Sequence, residues 1–220
     1  VDCGIRSNDV VEYARSLGME VVITDHHECE GELPKAHSIL NPHQPDCGYP
    51  FKDLAGVGVA FKLSSALLSK ADNASCAEEL LDIVSLGTIA DIVPLLGENR
   101  IIVKHGLNRM GNTDNKGIKA LLRVCGLYRR ELTTYNVAFM LAPRINAAGR
   151  IANATECVEL LLTDNEDRAM EIAAKLNSDN LERQAIENRI LNDAIAIIEG
   201  TSDLDKDKVL VLCLTDTMMN

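Results

Sequence analysis

Apolar and polar residues alternate along the chain in blocks that change period several times. The opening "VDCGI" reads as the end of a strand at Val1–Cys3. "SNDVVEYARSLG" then has helical spacing, with Ser7 or Asn8 as N-cap and Gly18 as its stop. "MEVVIT" is the next strand, so strand–helix–strand here predicts two adjacent or near-adjacent parallel strands joined by a right-handed crossover. Residues 29–54 contain Pro34, Pro42, Pro45 and Pro50 and read as loop. "LAGVGVAFKLSSALLSKA" predicts a buried helix whose glycines allow close backbone approach. "CAEELLDIVSLGTIADIVPLL" predicts another, broken near Gly87. Further helices are expected at roughly 100–110, 116–126 and 135–142, followed by a turn at "APRINAAGRI".

From Thr163 the pattern lengthens. Thr163 and Glu166 have the form of a capping box. Behind them Ala169, Ile172, Ala173, Leu176, Leu181, Ile186, Ile190, Ala194 and Ile198 recur at near-helical spacing. This is one helix of more than thirty residues or two broken around "NSDN", and it suits a bridge between domains. The polar "TSDLDKDK" leads to a last strand, Val209–Leu214. The expected organisation is a catalytic domain over 1–163, a connecting helix over 164–200, and a linker with the first strand of a second domain over 201–220.

Composition narrows the class. At 220 residues and 46% hydrophobic the chain can bury a full core, but with no Trp, three Phe and four Tyr it must pack aliphatically. A net charge of −11 shows no broad basic surface for nucleic acid. The seven cysteines (3, 29, 47, 76, 125, 157, 213) contain no C-x-x-C pair, which favours reduced thiols and a cytoplasmic protein. No run of eighteen apolar residues is present to span a membrane.

The candidate chemistry sits where strands stop. Asp2 lies at the end of the first predicted strand and Asp25, His26 and His27 at the end of the second. In open parallel sheets ligands gather outside the carboxyl ends of strands. Neighbouring strands lie about 4.8 Å apart, so these side chains can converge. Carboxylate with imidazole suits a divalent ion of intermediate hardness, Mn²⁺ over Ca²⁺. A solvated turn is the alternative. Asp91, inside the apolar "GTIADIVPL", is costly unless paired or metal-bound, although an Asp capping a turn before Pro94 also accounts for it. In "PRINAAGR", Arg144, Asn146 and Arg150 among small residues can grip phosphate, as ordinary turns with Arg beside Gly also could. His37, His43 and Cys47 with Cys29 offer a rival zinc set, but their spacings match no compact zinc signature.

Taken in order, "VDCGI", "TDHH", "LAGVGVAFKL", "LGTIADIVPL", "ENR" and "PRINAAGR" resemble the RecJ family of the DHH phosphoesterase superfamily over most of the chain. The resemblance implies an α/β fold with a parallel sheet of the DHH type, a helical part, and a long connecting helix toward a DHHA1-like domain. It implies metal-dependent phosphodiester hydrolysis, as a single-strand-specific 5′→3′ DNA exonuclease of repair and recombination. By position it makes Asp2, His26 and Asp91 metal ligands and places His27 at the metal or the scissile phosphate, with Asp25 orienting the histidines. Arg144, Asn146 and Arg150 fall near DNA phosphates. It further implies Mn²⁺ or Mg²⁺ in a two-metal site and single-stranded DNA as partner. A single-strand-binding protein or a helicase would be the protein partner. The family's upstream aspartates and its second domain are expected outside these residues, so this stretch alone is expected to be inactive or impaired. A phosphodiesterase for short oligonucleotides or cyclic dinucleotides is the alternative enzyme. A catalytically silent scaffold binding DNA or a protein partner is the non-enzymatic one.

Overall fold

The computed structural model describes residues 1–151, 154–201 and 209–212, with side chains for all of these except 148–151 and 201. Helix α1 (Asn8–Ser16) follows N-cap Ser7 and ends as expected before Gly18. The amides of Gly18 and Met19 donate to the Arg15 and Ala14 carbonyls, which closes the helix. Strand β1 (Val22–Thr24) then pairs in parallel with β2 (Ser38–Leu40), Ile23 opposite Ile39.

Two expectations change here. The first segment is not a regular strand, yet it runs beside the end of β1, the Asp2 amide donating to the Thr24 carbonyl at 2.7 Å. The partner strand comes instead from the stretch read as loop. β2 is only three residues long and flanked by prolines, too short to show a period of its own.

The remainder is helical. α2 (Gly56–Lys70) leads through a 3₁₀ segment (Ala74–Leu80) into α3 (Leu81–Ala90), α4 (Gly97–Gly111) and α5 (Lys116–Val124). α3 passes through Gly87 unbroken, contrary to the expected break. A Cβ there would come within 2.9 Å of a Val57 methyl, so the glycine serves helix–helix contact with α2. A buried cluster of Leu86, Ile89, Val103, Met110, Ile118, Leu122 and Leu141 holds α3, α4 and α5 together.

"APRINAAGRI" is also helix, α7 (Ala142–Ile151), not a turn. It continues from α6 (Thr134–Asn136) through a π-helical turn (Val137–Leu141). The wider turn ahead of Pro143 lets a proline enter a helix that would otherwise break there. α8 (Ala154–Leu162) and α9 (Glu166–Thr201) complete the described elements. α9 is one helix of 36 residues, with no break at "NSDN". Its cap is Asn165, whose side chain accepts from the Arg168 amide, while Thr163 accepts from Asn165; the Thr163–Glu166 box is not formed. Ala169, Ile172, Ala173 and Leu176 pack on Ala120, Leu121 and Leu160 of α5 and α8. Residues 209–212 form no regular element, and the rest of the expected last strand lies outside the described residues.

Candidate metal centre

Three segments that are distant in sequence meet at the carboxyl end of β1. The first is the turn after the strand. Asp25 is 1% exposed and accepts at both oxygens: from the Ile5 amide at 3.0 Å, the His26 amide at 2.8 Å, the His27 amide at 3.2 Å and His27 Nδ1 at 2.7 Å. Burial pushes this carboxyl upward, but the Ile5 amide, the His27 ring and the two histidine amides outweigh it and hold the group at about 2. An ionised carboxylate only accepts, so the proton of a neutral His27 ring sits on Nδ1 and its Nε2 lone pair faces outward. Asn41 braces the turn from β2: its Nδ2 donates to the His27 carbonyl at 2.9 Å and its Oδ1 accepts from the His43 amide at 2.8 Å. Arg6 Nε donates to the Glu28 carbonyl at 3.2 Å, tying the exit of the turn to the first segment.

Asp2 and Asp91 arrive from the other two segments. His26 Nε2 lies 3.1 Å from Asp2 Oδ1 and 3.5 Å from Asp91 Oδ2. Asp2, His26 and His27 each offer a ligand atom, all within 4.8 Å of one another, the one such group of His, Cys, Asp and Glu among the described residues. Asp2 has φ 60°, a left-handed conformation that Asp tolerates better than most residues. Its side chain lies against the start of α2, where a Cβ on Gly56 would fall 2.0 Å from Oδ1. Gly56 is therefore a requirement of the site that "LAGVG" signals only as close approach in general. A cavity of about 230 Å³ opens here, lined by Asp2, Gly56, Gly87, Asp91 and Asn146 among others.

This donor set fits a divalent cation. Bonds of about 2.1 Å to an octahedral ion place neighbouring donor atoms about 3 Å apart, close to the two separations found around His26. Burial raises the Asp91 carboxyl, the Asp2 carboxylate adds to this, and the His26 and His27 rings only partly offset it. Two carboxylates sharing one imidazole are electrostatically short of a positive charge, which an ion would supply.

Asp91 terminates α3, and the next residue, Ile92, has φ 59°. Left-handed backbone costs a β-branched residue about 1–2 kcal/mol. The segment after it is pinned by fully buried Asn99 of α4, whose Nδ2 donates to the Asp53 carbonyl at 2.5 Å and the Pro94 carbonyl at 3.0 Å. Asn99 lies in "ENR", and its role became visible only with the fold.

The "PRINAAGR" residues divide. Asn146 lines the cavity with Asp2 and Asp91. Arg144, two positions earlier and so about 200° around the helix, turns to α9, donating from Nε to Asn177 at 2.9 Å and from Nη1 to the Met140 carbonyl. The side chain of Arg150 lies outside the described residues. The rival zinc set is not assembled: His37 faces Glu20 at 3.9 Å and His43 faces Glu28 at 3.2 Å. The described cysteines, 3, 29, 47, 76, 125 and 157, are free thiols.

Residues 1–88 match the DHH family, N-terminal domain. The chain is 44% identical over 211 residues to the single-stranded-DNA-specific exonuclease RecJ of Bacillus subtilis (strain 168), covering 96% of this chain and 26% of the relative. With the enzyme of the same name from Escherichia coli (strain K12) the identity is 43% over 210 residues, covering 90% and 36%. The crystal structure of RecJ in complex with Mn²⁺ from Thermus thermophilus matches with a TM-score of 0.79 at 36% identity, over 88% of this chain and 29% of that one. The chain thus matches the N-terminal domain of the DHH family over residues 1–88 and is similar to RecJ enzymes over most of its own length. It spans about a quarter to just over a third of the length of these RecJ relatives. A small parallel sheet followed by helices is the fold it shares with the RecJ structures, including RecJ bound to Mg²⁺ from the same Thermus species, at a TM-score of 0.68 and 36% identity. Among the described residues no helix is long and apolar enough to cross a membrane.

Proposed function

We propose that this chain carries part of the catalytic centre of a metal-dependent, single-strand-specific 5′→3′ DNA exonuclease. The observation that carries the reading is the convergence of Asp2, His26 and Asp91 on one point, with His26 Nε2 3.1 Å and 3.5 Å from the two carboxylates. Those three would hold Mn²⁺ or Mg²⁺, the ions bound in the matching RecJ structures. Such an ion, when bound, activates water and offsets charge on the phosphate under attack. The protein's own groups set the stage. Asp25 keeps the His27 proton on Nδ1 and fixes both rings, so that His27 Nε2 is free to meet the ion or the phosphate. Asn146, which lines the cavity, offers an amide donor to a phosphate oxygen. Arg144, engaged with Asn177, holds α7 against α9 and so positions Asn146 rather than gripping DNA itself.

Residues 1–163 form the catalytic unit in this reading, and α9 carries the chain toward a second, DHHA1-like unit. A cytoplasmic setting and a single-strand-binding protein or helicase as partner follow from the resemblance to RecJ alone. Short oligonucleotides or cyclic dinucleotides are set aside as substrates because the curated relatives quoted above are single-stranded-DNA-specific exonucleases over 90% or more of this chain. A silent scaffold is set aside in this reading because His26 Nε2 lies close to both carboxylates, an arrangement suited to an ion.

The test uses the full-length protein. Asp2→Ala and His26→Ala should each reduce Mn²⁺-dependent nucleotide release from a single-stranded oligonucleotide by at least about a hundredfold, with thermal unfolding unchanged without metal. Turnover within a few-fold of wild type in either variant overturns the assignment.

A further inference from the structure

The two carboxylates nearest His26 are seated on different limbs of the chain. Asp2 Oδ1 rests against Gly56, where the segment running through Asp53 enters α2. Asp91 ends α3 and leads through Pro94 into α4. The limbs also belong to different apolar clusters. Leu54 packs with Val59, Val84 and Ile102, whereas Leu95 packs against the cluster around Val103 and Met110. Apolar packing is non-directional, so it holds each limb down without fixing the distance between them.

The start of α4 lies in the seam. Gly97 faces the Phe51 ring, to which a Cβ would come within 2.6 Å. Glu98 accepts from the Tyr49 hydroxyl at 2.6 Å and pairs with Lys62. Asn99 then spans both limbs. Its Nδ2 gives one proton to the Asp53 carbonyl at 2.5 Å, three residues before Gly56, and one to the Pro94 carbonyl at 3.0 Å, three residues after Asp91. The side chain is fully buried within this chain, and its Oδ1 meets no donor among the described residues. A buried acceptor without a donor costs stability, a cost that an aliphatic side chain would avoid. What an asparagine contributes here is therefore its two donations, and both act on the limbs that seat the carboxylates.

We propose that Asn99 is a positioning residue of the metal centre: its amide ties the seat of Asp2 to the limb of Asp91 and holds the two carboxylates at the separation that one ion bridges. This rests on the reading of Asp2 and Asp91 as ligands of a shared ion.

The experiment measures Mn²⁺ binding to full-length, metal-free protein by calorimetry, beside thermal melting. Asn99→Leu keeps the branched outline and removes both donors. Asn99→Ser keeps one hydroxyl donor on a shorter stem, and carries the test if the leucine variant does not fold. Tyr49→Phe removes one hydrogen bond from the same seam and spares both Asn99 bonds. The Mn²⁺ dissociation constant should rise roughly tenfold in the Asn99 variants, with kcat at saturating Mn²⁺ within about threefold of wild type, the loss expected when a group that orients metal ligands is removed. Tyr49→Phe should lower the melting temperature and leave the dissociation constant unchanged. Asn99 variants that melt lower yet bind Mn²⁺ as wild type does would show a merely structural asparagine and overturn the proposal. An equal loss of affinity in Tyr49→Phe overturns it too. Asp2→Ala separates the readings. If wild type binds no Mn²⁺, or Asp2→Ala binds it equally well, the metal-centre reading fails and takes this one with it. If binding depends on Asp2 but single-stranded DNA is not hydrolysed, the exonuclease reading alone fails, and the Asn99 variants still decide the positioning by affinity.

Discussion

The turn after β1 and the end of α3 each bring a carboxylate to the centre, and they are built in opposite ways. Asp25 is buried and accepts from three backbone amides and one imidazole, so its charge is stabilised and its neighbours are locked. Asp91 is partly exposed, its carboxyl is raised by burial and by Asp2, and the backbone after it is left-handed. One carboxylate is satisfied by the protein and orients the histidines. The other, in the function proposed above, would be satisfied by a bound ion. A centre of this kind needs both: a fixed frame, and ligands whose charge the fold has not already neutralised.

Removing the frame should have the largest effect. Asp25→Ala leaves the Ile5, His26 and His27 amides without their acceptor in a buried turn, and should lower unfolding free energy by about 3 kcal/mol in urea titrations, with exonuclease activity lost. A destabilisation below about 1 kcal/mol would show that the turn is held by something else.

Acid should expose the same asymmetry on a smaller scale. Asp25 titrates at about 2 in the folded chain against an ordinary 3.8. Its folded value is depressed, so its contribution is full above about pH 4 and disappears as pH falls through about 2. It is worth about 2 kcal/mol in metal-free protein. Chemical denaturation between about pH 5 and pH 2 should show this loss in wild type, and Asp25→Asn should flatten it.

Asp91→Asn should have the smallest effect on stability and the opposite sign. Because the ionised form is disfavoured in the metal-free fold, the variant should be unchanged or more stable by up to about 0.5 kcal/mol, solvent screening keeping the gain small. Wild type should gain thermal stability on adding Mn²⁺, and Asp91→Asn should lose most of that gain. A variant that Mn²⁺ stabilises as well as wild type would remove Asp91 from the centre.

Much of this was readable beforehand, for identifiable reasons. Asp25, His26 and His27 stand out because an apolar strand ends abruptly on them, and Asp91 because it interrupts an apolar stretch of sequence. Helices α1, α2, α4 and α5 carry clear spacing and stops. What escaped depends on contacts between distant segments. β2 is a strand only because β1 lies beside it. Gly87 looks like a break until Val57 is seen against it, and Pro143 looks like a turn until the π-helical turn ahead makes room. Asn41 and Asn99 are ordinary loop and helix asparagines until their amides are found on the carbonyls of His27 and Pro94. Arg144 and Asn146 look equivalent in "PRINAAGR", and only the helix separates their faces.

Helix α9 has a mechanical meaning that burial alone does not express. Its first turns are clamped by Ala169, Ile172, Ala173 and Leu176, whereas Leu181 and Leu191 farther on are mostly in water. At 36 residues it extends roughly 54 Å. It therefore works as a screw thread: one residue inserted in its outer half would advance whatever it carries by about 1.5 Å and swing it by about 100°. Insertions of seven residues would nearly restore the original bearing, so the length of this rod sets an angular address as well as a reach.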